Sequence, residues 1–157
     1  MTTYRHRRDH SPTKPVVLIL CTGNSCHSQM AEGFLKRFSG EQYEIHSAGT
    51  EPASQVHPLA IQVMEEVGID IGRQKPKPLS DYLGRVPVRH LIIVCDKANG
   101  SCPRIWPGTQ SRTYLPFDDP AAFEGSPMAT LDEFRRVRDL IGEVMANWEP
   151  ASFADRR

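Results

Sequence analysis

The chain has 157 residues, enough for one domain and little more, and a domain of that size buries about 68–70% of its unfolded surface. Nineteen Lys and Arg balance nineteen Asp and Glu, a formal net charge of +0 that argues against a general nucleic-acid binder. With 39% hydrophobic and 24% charged residues, the composition is that of a globular chain rather than a disordered one.

Residues 1–14 carry Arg5, Arg7, Arg8 and Lys14 against Asp9 and show no apolar periodicity, so they read as a solvated tail. The longest apolar run, Val16 to Cys21, is six residues, far below the roughly 18 of a membrane span. A charged stretch precedes it and no signal-peptidase site follows, so a cytoplasmic chain without a membrane segment is expected. Val16 to Leu20 suits a central strand covered on both faces. Met30, Phe34, Leu35 and Phe38 recur at helical spacing, and Ser39-Gly40 ends that helix.

Tyr43 to Ser47 forms a second strand, closed by Ala48-Gly49. Val56, Leu59, Ala60, Val63, Met64 and Val67 mark a second helix, with Gly68 placed for its C-terminal cap. Lys75-Pro76-Lys77-Pro78 breaks the pattern, and Leu79 to Val86 adds a short helix. His90 to Cys95 is a second buried strand and Arg112 to Phe117 a shorter one. Leu131, Phe134, Val137, Leu140, Ile141, Val144, Met145 and Trp148 give the last amphipathic helix, and residues 151–157 are a second polar end. Four strands separated by helices imply an α/β three-layer sandwich, a parallel sheet flanked by helices, in one domain over residues 15–150.

Thr22, Gly23, Asn24, Ser25, Cys26, His27 and Ser28 join the first strand to the first helix. A crossing that short points backbone N–H groups inward as a cradle for a tetrahedral oxyanion, and the helix N-terminus adds about half a positive charge. Cys21, at the mouth of the cradle, feels the same field, which favours its thiolate, and Ser28 adds a hydroxyl donor. Cys21 thus reads as an activated nucleophile facing a bound anion. The plainer alternative is a small hydrophobe ending a strand.

Four cysteines, Cys21, Cys26, Cys95 and Cys102, allow three full pairings, and structural disulfides are rare in a reducing compartment. A Cys95–Cys102 bond needs Cα atoms about 4.4–6.8 Å apart, whereas a continuous helix over 95–102 would separate them by about 10.5 Å. Such a bond therefore requires the segment to loop, for which Asn99-Gly100 is a suitable turn dipeptide. A zinc site is the rival, but a spacing of seven without a short Cys-x₂-Cys pair suits it poorly, so no metal site is expected. Two unrelated buried cysteines are the remaining alternative.

The loop, with Gln29-Met30-Ala31-Glu32-Gly33 after it, resembles that of the thioredoxin-coupled arsenate reductases, relatives of the low-molecular-weight protein tyrosine phosphatases. The resemblance runs from about Pro15 to Trp148. It includes Ser47-Ala48-Gly49, the Cys95/Cys102 pair, Phe117-Asp118-Asp119-Pro120 and Phe134-Arg135-Arg136-Val137-Arg138-Asp139. It implies a four-stranded parallel sheet, reduction of arsenate with phosphate or sulfate as competing anions, and thioredoxin as reductant to a monomeric enzyme.

By the same resemblance, Cys21 attacks arsenate, Cys95 attacks Cys21 to release arsenite, and Cys102 attacks Cys95 to leave a disulfide for thioredoxin. Asp119, just before the proline, is implied as the general acid, ahead of Asp118. Asn24 is expected to hold the shape of the cradle, with Glu32 and Ser47 in a supporting polar network. Some relatives hold a potassium ion there with an aspartate near the position of Lys77, where an ammonium would stand in for the cation. Cys26 has no expected relay role beyond structure or off-pathway oxidation.

One departure matters. The family has arginine six residues after the nucleophile, where this chain has His27. Arginine offers a planar bidentate fork and a permanent charge, whereas histidine offers at most two donors. His27 is expected to keep a weaker oxyanion-binding role; the alternative is that it points away and binds nothing. Two rival functions follow. A tyrosine phosphatase would need no Cys95 and Cys102, and Ala121-Ala122-Phe123 lacks the tyrosines that would stack an aryl substrate. The other rival is a non-catalytic oxyanion or redox sensor.

Overall fold

Five consecutive apolar residues, Val16 to Leu20, offer water no polar side chain, and the strand that they build is buried along its whole length. A computed structural model describes residues 14–102, 106 and 108–150. Apart from Lys14, the two expected tails lie outside the described residues. The elements run β1 (Val16–Cys21), α1 (His27–Ser39), β2 (Glu44–Gly49), α2 (Pro58–Glu65), β3 (Val88–Ile93), α3 (Asp96–Ser101), β4 (Ser111–Tyr114) and α4 (Pro127–Ala146).

The strands are all parallel, in the order β2-β1-β3-β4, and form the expected α/β sheet. Side chains of β1 alternate between two cores. Val17, Ile19 and Cys21 pack under α1, α2 and α4, while Val16, Leu18 and Leu20 face Val88, Leu91, Tyr82 and Trp106 on the other side. Burying each such aliphatic side chain contributes about 1.5–3 kcal/mol. Arg138 in α4 donates to the Val63 carbonyl at 2.9 Å and to Glu66 at 2.7 Å, tying α4 to α2.

The chain leaves β1 for β2 on one side and later returns to β3 on the other. The carboxyl end of β1 is therefore the topological switch point of the sheet, where loops diverge and leave a crevice. The Cys21–Ser28 loop lies there.

Several boundaries shift from expectation, with physical causes. The helix expected over 79–86 shortens to one 3-10 turn, Leu79–Asp81, because Gly84 takes a left-handed conformation (φ 78) that no helix continues through. The strand expected to run to Phe117 ends at Tyr114, although the amides of Leu115 and Phe117 still bond the carbonyls of Ile93 and Val94. Gly68 caps α2 as expected, with φ 81 and an Ile69 N–H bond to the Met64 carbonyl at 3.0 Å.

The largest difference is α3. The segment between Cys95 and Cys102 is helical rather than looped, and Asn99-Gly100 lies inside the helix. The Asn99 amide bonds the Cys95 carbonyl at 3.0 Å, and the Cys102 amide bonds the Ala98 carbonyl at 2.8 Å. In tertiary context these i→i−4 bonds outweigh the turn preference of the dipeptide.

Candidate active site

Every carbonyl from Cys21 to Cys26 is engaged outside the cradle. Cys21, Thr22, Gly23 and Ser25 accept from the amides of Thr50, Glu51, Ala53 and His57. The Asn24 carbonyl accepts from Gln29 Nε2 at 2.9 Å, and that of Cys26 from the Met30 amide at 3.0 Å. With the carbonyls turned outward, the loop's amides are free to face inward, as an anion cradle requires. Gly49 makes the close approach possible, because a Cβ there would strike the Thr22 carbonyl oxygen. Residues 50–57 and Gln29 were not among the expected site residues; backbone bonds between distant segments leave no motif to read.

Asn24 takes a left-handed conformation (φ 51) at the turn of the loop. Its Nδ2 donates to Ser28 Oγ and Ser47 Oγ, each at 2.9 Å, and its Oδ1 accepts from the Lys77 amide. Ser47 in turn donates to Glu32 Oε1. Because Ser28 Oγ accepts from Asn24, its own hydrogen is left to point at Cys21, and it favours the thiolate there. Glu32, Ser47, Asn24 and Ser28 thus form one buried chain of hydrogen bonds ending at the sulfur.

The Cys21 thiol is lowered to about 6. Hydrogen bonding from the Cys95 thiol is the largest cause, and burial works against it; the Asn24 amide, the Ser28 hydroxyl and the Thr22 amide add to the lowering. Cys95 is pushed up to about 11, first by that same interaction with Cys21 and then by burial. Thr22 Oγ1 lies 3.3 Å from the Cys95 sulfur. The fold therefore brings Cys95 beside Cys21, whereas Cys102 stands at the far end of α3, about 10 Å away along the helix. Burial raises the Cys102 thiol, with Arg112 opposing. Cys26 is pushed far up, by burial first and then by the charges of Asp119 and Cys21, so it stays an inert thiol. All four cysteines are free.

His27 points into the cradle. Its Nε2 lies 3.7 Å from the Cys21 sulfur, and its Nδ1 lies 3.9 Å from Asp119 Oδ1. That second distance is too long for a hydrogen bond, and Nδ1 is buried without a partner. Asp119 caps the turn Pro120–Ala122 by accepting from the Ala121 amide at 3.0 Å, which holds its carboxylate at the rim. Asp118 faces the other way and pairs with Arg136 at 2.8 Å. Of the two adjacent carboxylates, only Asp119 is directed at His27.

Lys77 Nζ stands 3.7 Å from Glu32 Oε1, and Lys36 Nζ 2.6 Å from Glu32 Oε2. Burial lowers the Lys77 amine, and the Glu32 charge opposes this. Two ammonium groups and a serine hydroxyl already engage both carboxylate oxygens, so this donor set does not fit a potassium ion.

The family model described as low molecular weight phosphotyrosine protein phosphatase matches residues 16–155. An arsenate reductase from Halalkalibacterium halodurans is 42% identical over 130 residues, covering 83% of this chain and 91% of that protein. A solved arsenate reductase in the phosphate-binding state is 32% identical with a TM-score of 0.66, covering 85% of this chain and 95% of the other. The thioredoxin-dependent arsenate reductase of Corynebacterium glutamicum is 29% identical with a TM-score of 0.57, covering 87% of this chain and 64% of the other. The chain belongs to the low molecular weight phosphotyrosine protein phosphatase family. Within it, these three relatives are all arsenate reductases. No helix among the described residues is long and apolar enough to cross a membrane.

Proposed function

We propose that this chain reduces arsenate to arsenite and is recycled by thioredoxin. The observation that carries the reading is the pairing of a thiol lowered to about 6, Cys21, with a second thiol, Cys95, at the mouth of an oxyanion cradle. A hydrolytic phosphatase needs the first and has no use for the second.

Arsenate occupies the cradle, held by the amides of residues 22–28 with His27 Nε2 as a further donor. Cys21 thiolate attacks arsenic, and Asp119 protonates the oxygen that leaves as water. While Cys21 is free, Cys95 donates to it and is held as a thiol. Once arsenic caps Cys21, the largest cause of that raised value is gone and Cys95 is released for attack. Its thiolate attacks the Cys21 sulfur, and the sulfur–arsenic electron pair stays on arsenic, which leaves as arsenite. The Cys21–Cys95 disulfide is then attacked at Cys95 by Cys102, which frees Cys21 and leaves Cys95–Cys102 for thioredoxin. Because α3 separates Cys95 from Cys102, this last exchange unwinds the helix.

The dependence of the Corynebacterium glutamicum relative on thioredoxin supports that reductant. All groups in the scheme come from one chain, which suits a monomer. A cycle of free thiols suits the reducing cytoplasm. Lys77 takes the place of a monovalent cation, so the reaction proceeds without potassium.

The test is arsenate-dependent oxidation of reduced thioredoxin. It is expected with the parent chain and absent in Cys21→Ser and Cys95→Ser. Cys102→Ser is expected to stop after one turnover with a Cys21–Cys95 disulfide, visible by mass spectrometry. Sustained turnover in Cys102→Ser would overturn the relay. Hydrolysis of an aryl phosphate without thioredoxin oxidation would make the protein a phosphatase, and neither activity would make it a sensor.

A further inference from the structure

The expectation of no metal site weighed Cys95 only together with Cys102. The fold groups it differently. The sulfurs of Cys21 and Cys95 and a ring nitrogen of His27 all lie within 4.8 Å of one another, two of the three residues being buried. We propose that Cys21, His27 and Cys95 form a binding site for a zinc-class divalent metal ion.

The spacing fits. Tetrahedral zinc, with bonds of about 2.3 Å to sulfur and 2.0–2.1 Å to nitrogen, sets sulfur and nitrogen about 3.6 Å apart and two sulfurs about 3.8 Å apart. Cys21 Sγ and His27 Nε2 are already 3.7 Å apart. Two thiolates and an imidazole are soft ligands that select zinc over magnesium or calcium. Three protein ligands with one position left open is also the usual count where zinc is not purely structural.

An independent observation points the same way. His27 Nδ1 is buried and unpartnered, 3.9 Å from Asp119 Oδ1. A metal-bound histidine commonly donates its other ring N–H to a carboxylate, which fixes the tautomer and raises the basicity of the ligand. With Nε2 on the metal, Nδ1 carries the hydrogen, and a small movement of Asp119 completes that bond. The family's arginine, which has donors but no acceptor, could not ligate. The exchange to histidine is what supplies the third ligand.

Binding is balanced by loss of one proton. Cys21 enters as thiolate, Cys95 gives its proton to solvent, and His27 binds as neutral imidazole, so two thiolates neutralise the dication. While the metal is bound, both sulfurs are committed to it, and neither attack on an oxyanion nor a Cys21–Cys95 disulfide is possible. The metal thus holds the dithiol reduced and idle. None of this rests on the arsenate reading, since it needs only the three side chains.

The test titrates the reduced full chain with Zn²⁺ against a chromophoric chelator, and with Co²⁺ as a spectroscopic probe. We expect one equivalent per chain, with tetrahedral visible bands and thiolate charge-transfer absorption for Co²⁺. Affinity should fall at least about tenfold in His27→Arg, in His27→Gln and in Cys95→Ser, since even outer partners of metal ligands are worth 10–100-fold. Cys102→Ser and Cys26→Ser should bind as the parent does. Circular dichroism melts of each apo variant separate lost binding from lost folding. The proposal is overturned by absence of stoichiometric binding, by parent-like affinity in folded His27→Arg and His27→Gln, or by loss of binding in folded Cys102→Ser.

Discussion

His27 Nε2 stands 3.7 Å from the Cys21 sulfur, and its ring is buried at the start of α1. The imidazole is within hydrogen-bonding distance of a thiolate and lies at the N-terminus of α1. It adds one directed donor to the backbone amides of the loop and to the Ser28 and Cys95 donors at the sulfur. The chain therefore keeps the pocket of its family while exchanging a two-pronged cation for a single ring nitrogen.

That exchange should show in kinetics. A charge-assisted hydrogen bond contributes about 1.5–3 kcal/mol and a neutral one about 0.5–1.5 kcal/mol. His27→Ala should therefore lower kcat/KM for arsenate by roughly threefold to tenfold, and His27→Arg should raise it by about the same factor. Steady-state thioredoxin oxidation reads both. Parent-like turnover in His27→Ala removes His27 from oxyanion binding.

The Cys21 thiol, lowered to about 6, gives a pH signature. Lowering means that the thiolate is favoured in the fold, so reactivity is lost as pH falls through about 6 and is full above it. Carbamidomethylation of Cys21 by iodoacetamide, followed by mass spectrometry, should rise through that pH and then level off. Cys95, pushed up to about 11 while Cys21 is free, should be labelled only after Cys21. In Cys95→Ala the Cys21 midpoint should move up, because the largest cause of its lowering is gone.

Gly100 tunes the last exchange. It lies inside α3, with nothing within 4 Å of the place where a Cβ would stand, so alanine is accepted without a clash. Gly→Ala within a helix stabilises it by about 0.5–1 kcal/mol. If forming Cys95–Cys102 unwinds α3, Gly100→Ala should slow that step by about two- to fivefold and leave Cys21 alkylation unchanged. Quenched single-turnover samples resolve the two disulfides. An unchanged rate would show that the thiols meet without unwinding.

Lys77 predicts indifference to salt identity. With its ammonium 3.7 Å from Glu32 Oε1, replacing potassium by sodium at constant ionic strength should leave kcat and KM within about twofold. Lys77→Met removes the half-buried charge and should raise KM through the Glu32–Ser47–Asn24 chain. Activation of the parent by potassium alone would refute the substitution.

The central strand, the helices around it and the loop at its end were legible because hydrophobic period and glycine placement act locally. β1 reads directly from Val16 to Leu20, and Gly68 caps α2. The sequence pattern failed where distant groups decide. Asn99-Gly100 suggests a turn, yet lies in a helix held by the Cys95 and Ala98 carbonyls. Asp118 and Asp119 are indistinguishable as letters, and Arg136, in another element, turns the first away from the site. Cys95 beside Cys21 follows from parallel strands, whose carboxyl-end loops gather at one edge, but that His27 joins the two sulfurs is what no local spacing reports.

The outward-turned carbonyls of Cys21 to Cys26 carry a further consequence. Four of the six are fastened by amides from residues 50–57, a stretch with no role of its own in the chemistry. The cradle is thus cast before any anion arrives, and an incoming oxyanion spends none of its binding energy on shaping it. Damage to that stretch should look like damage to the active site: weaker anions, a less acidic Cys21, and an intact fold.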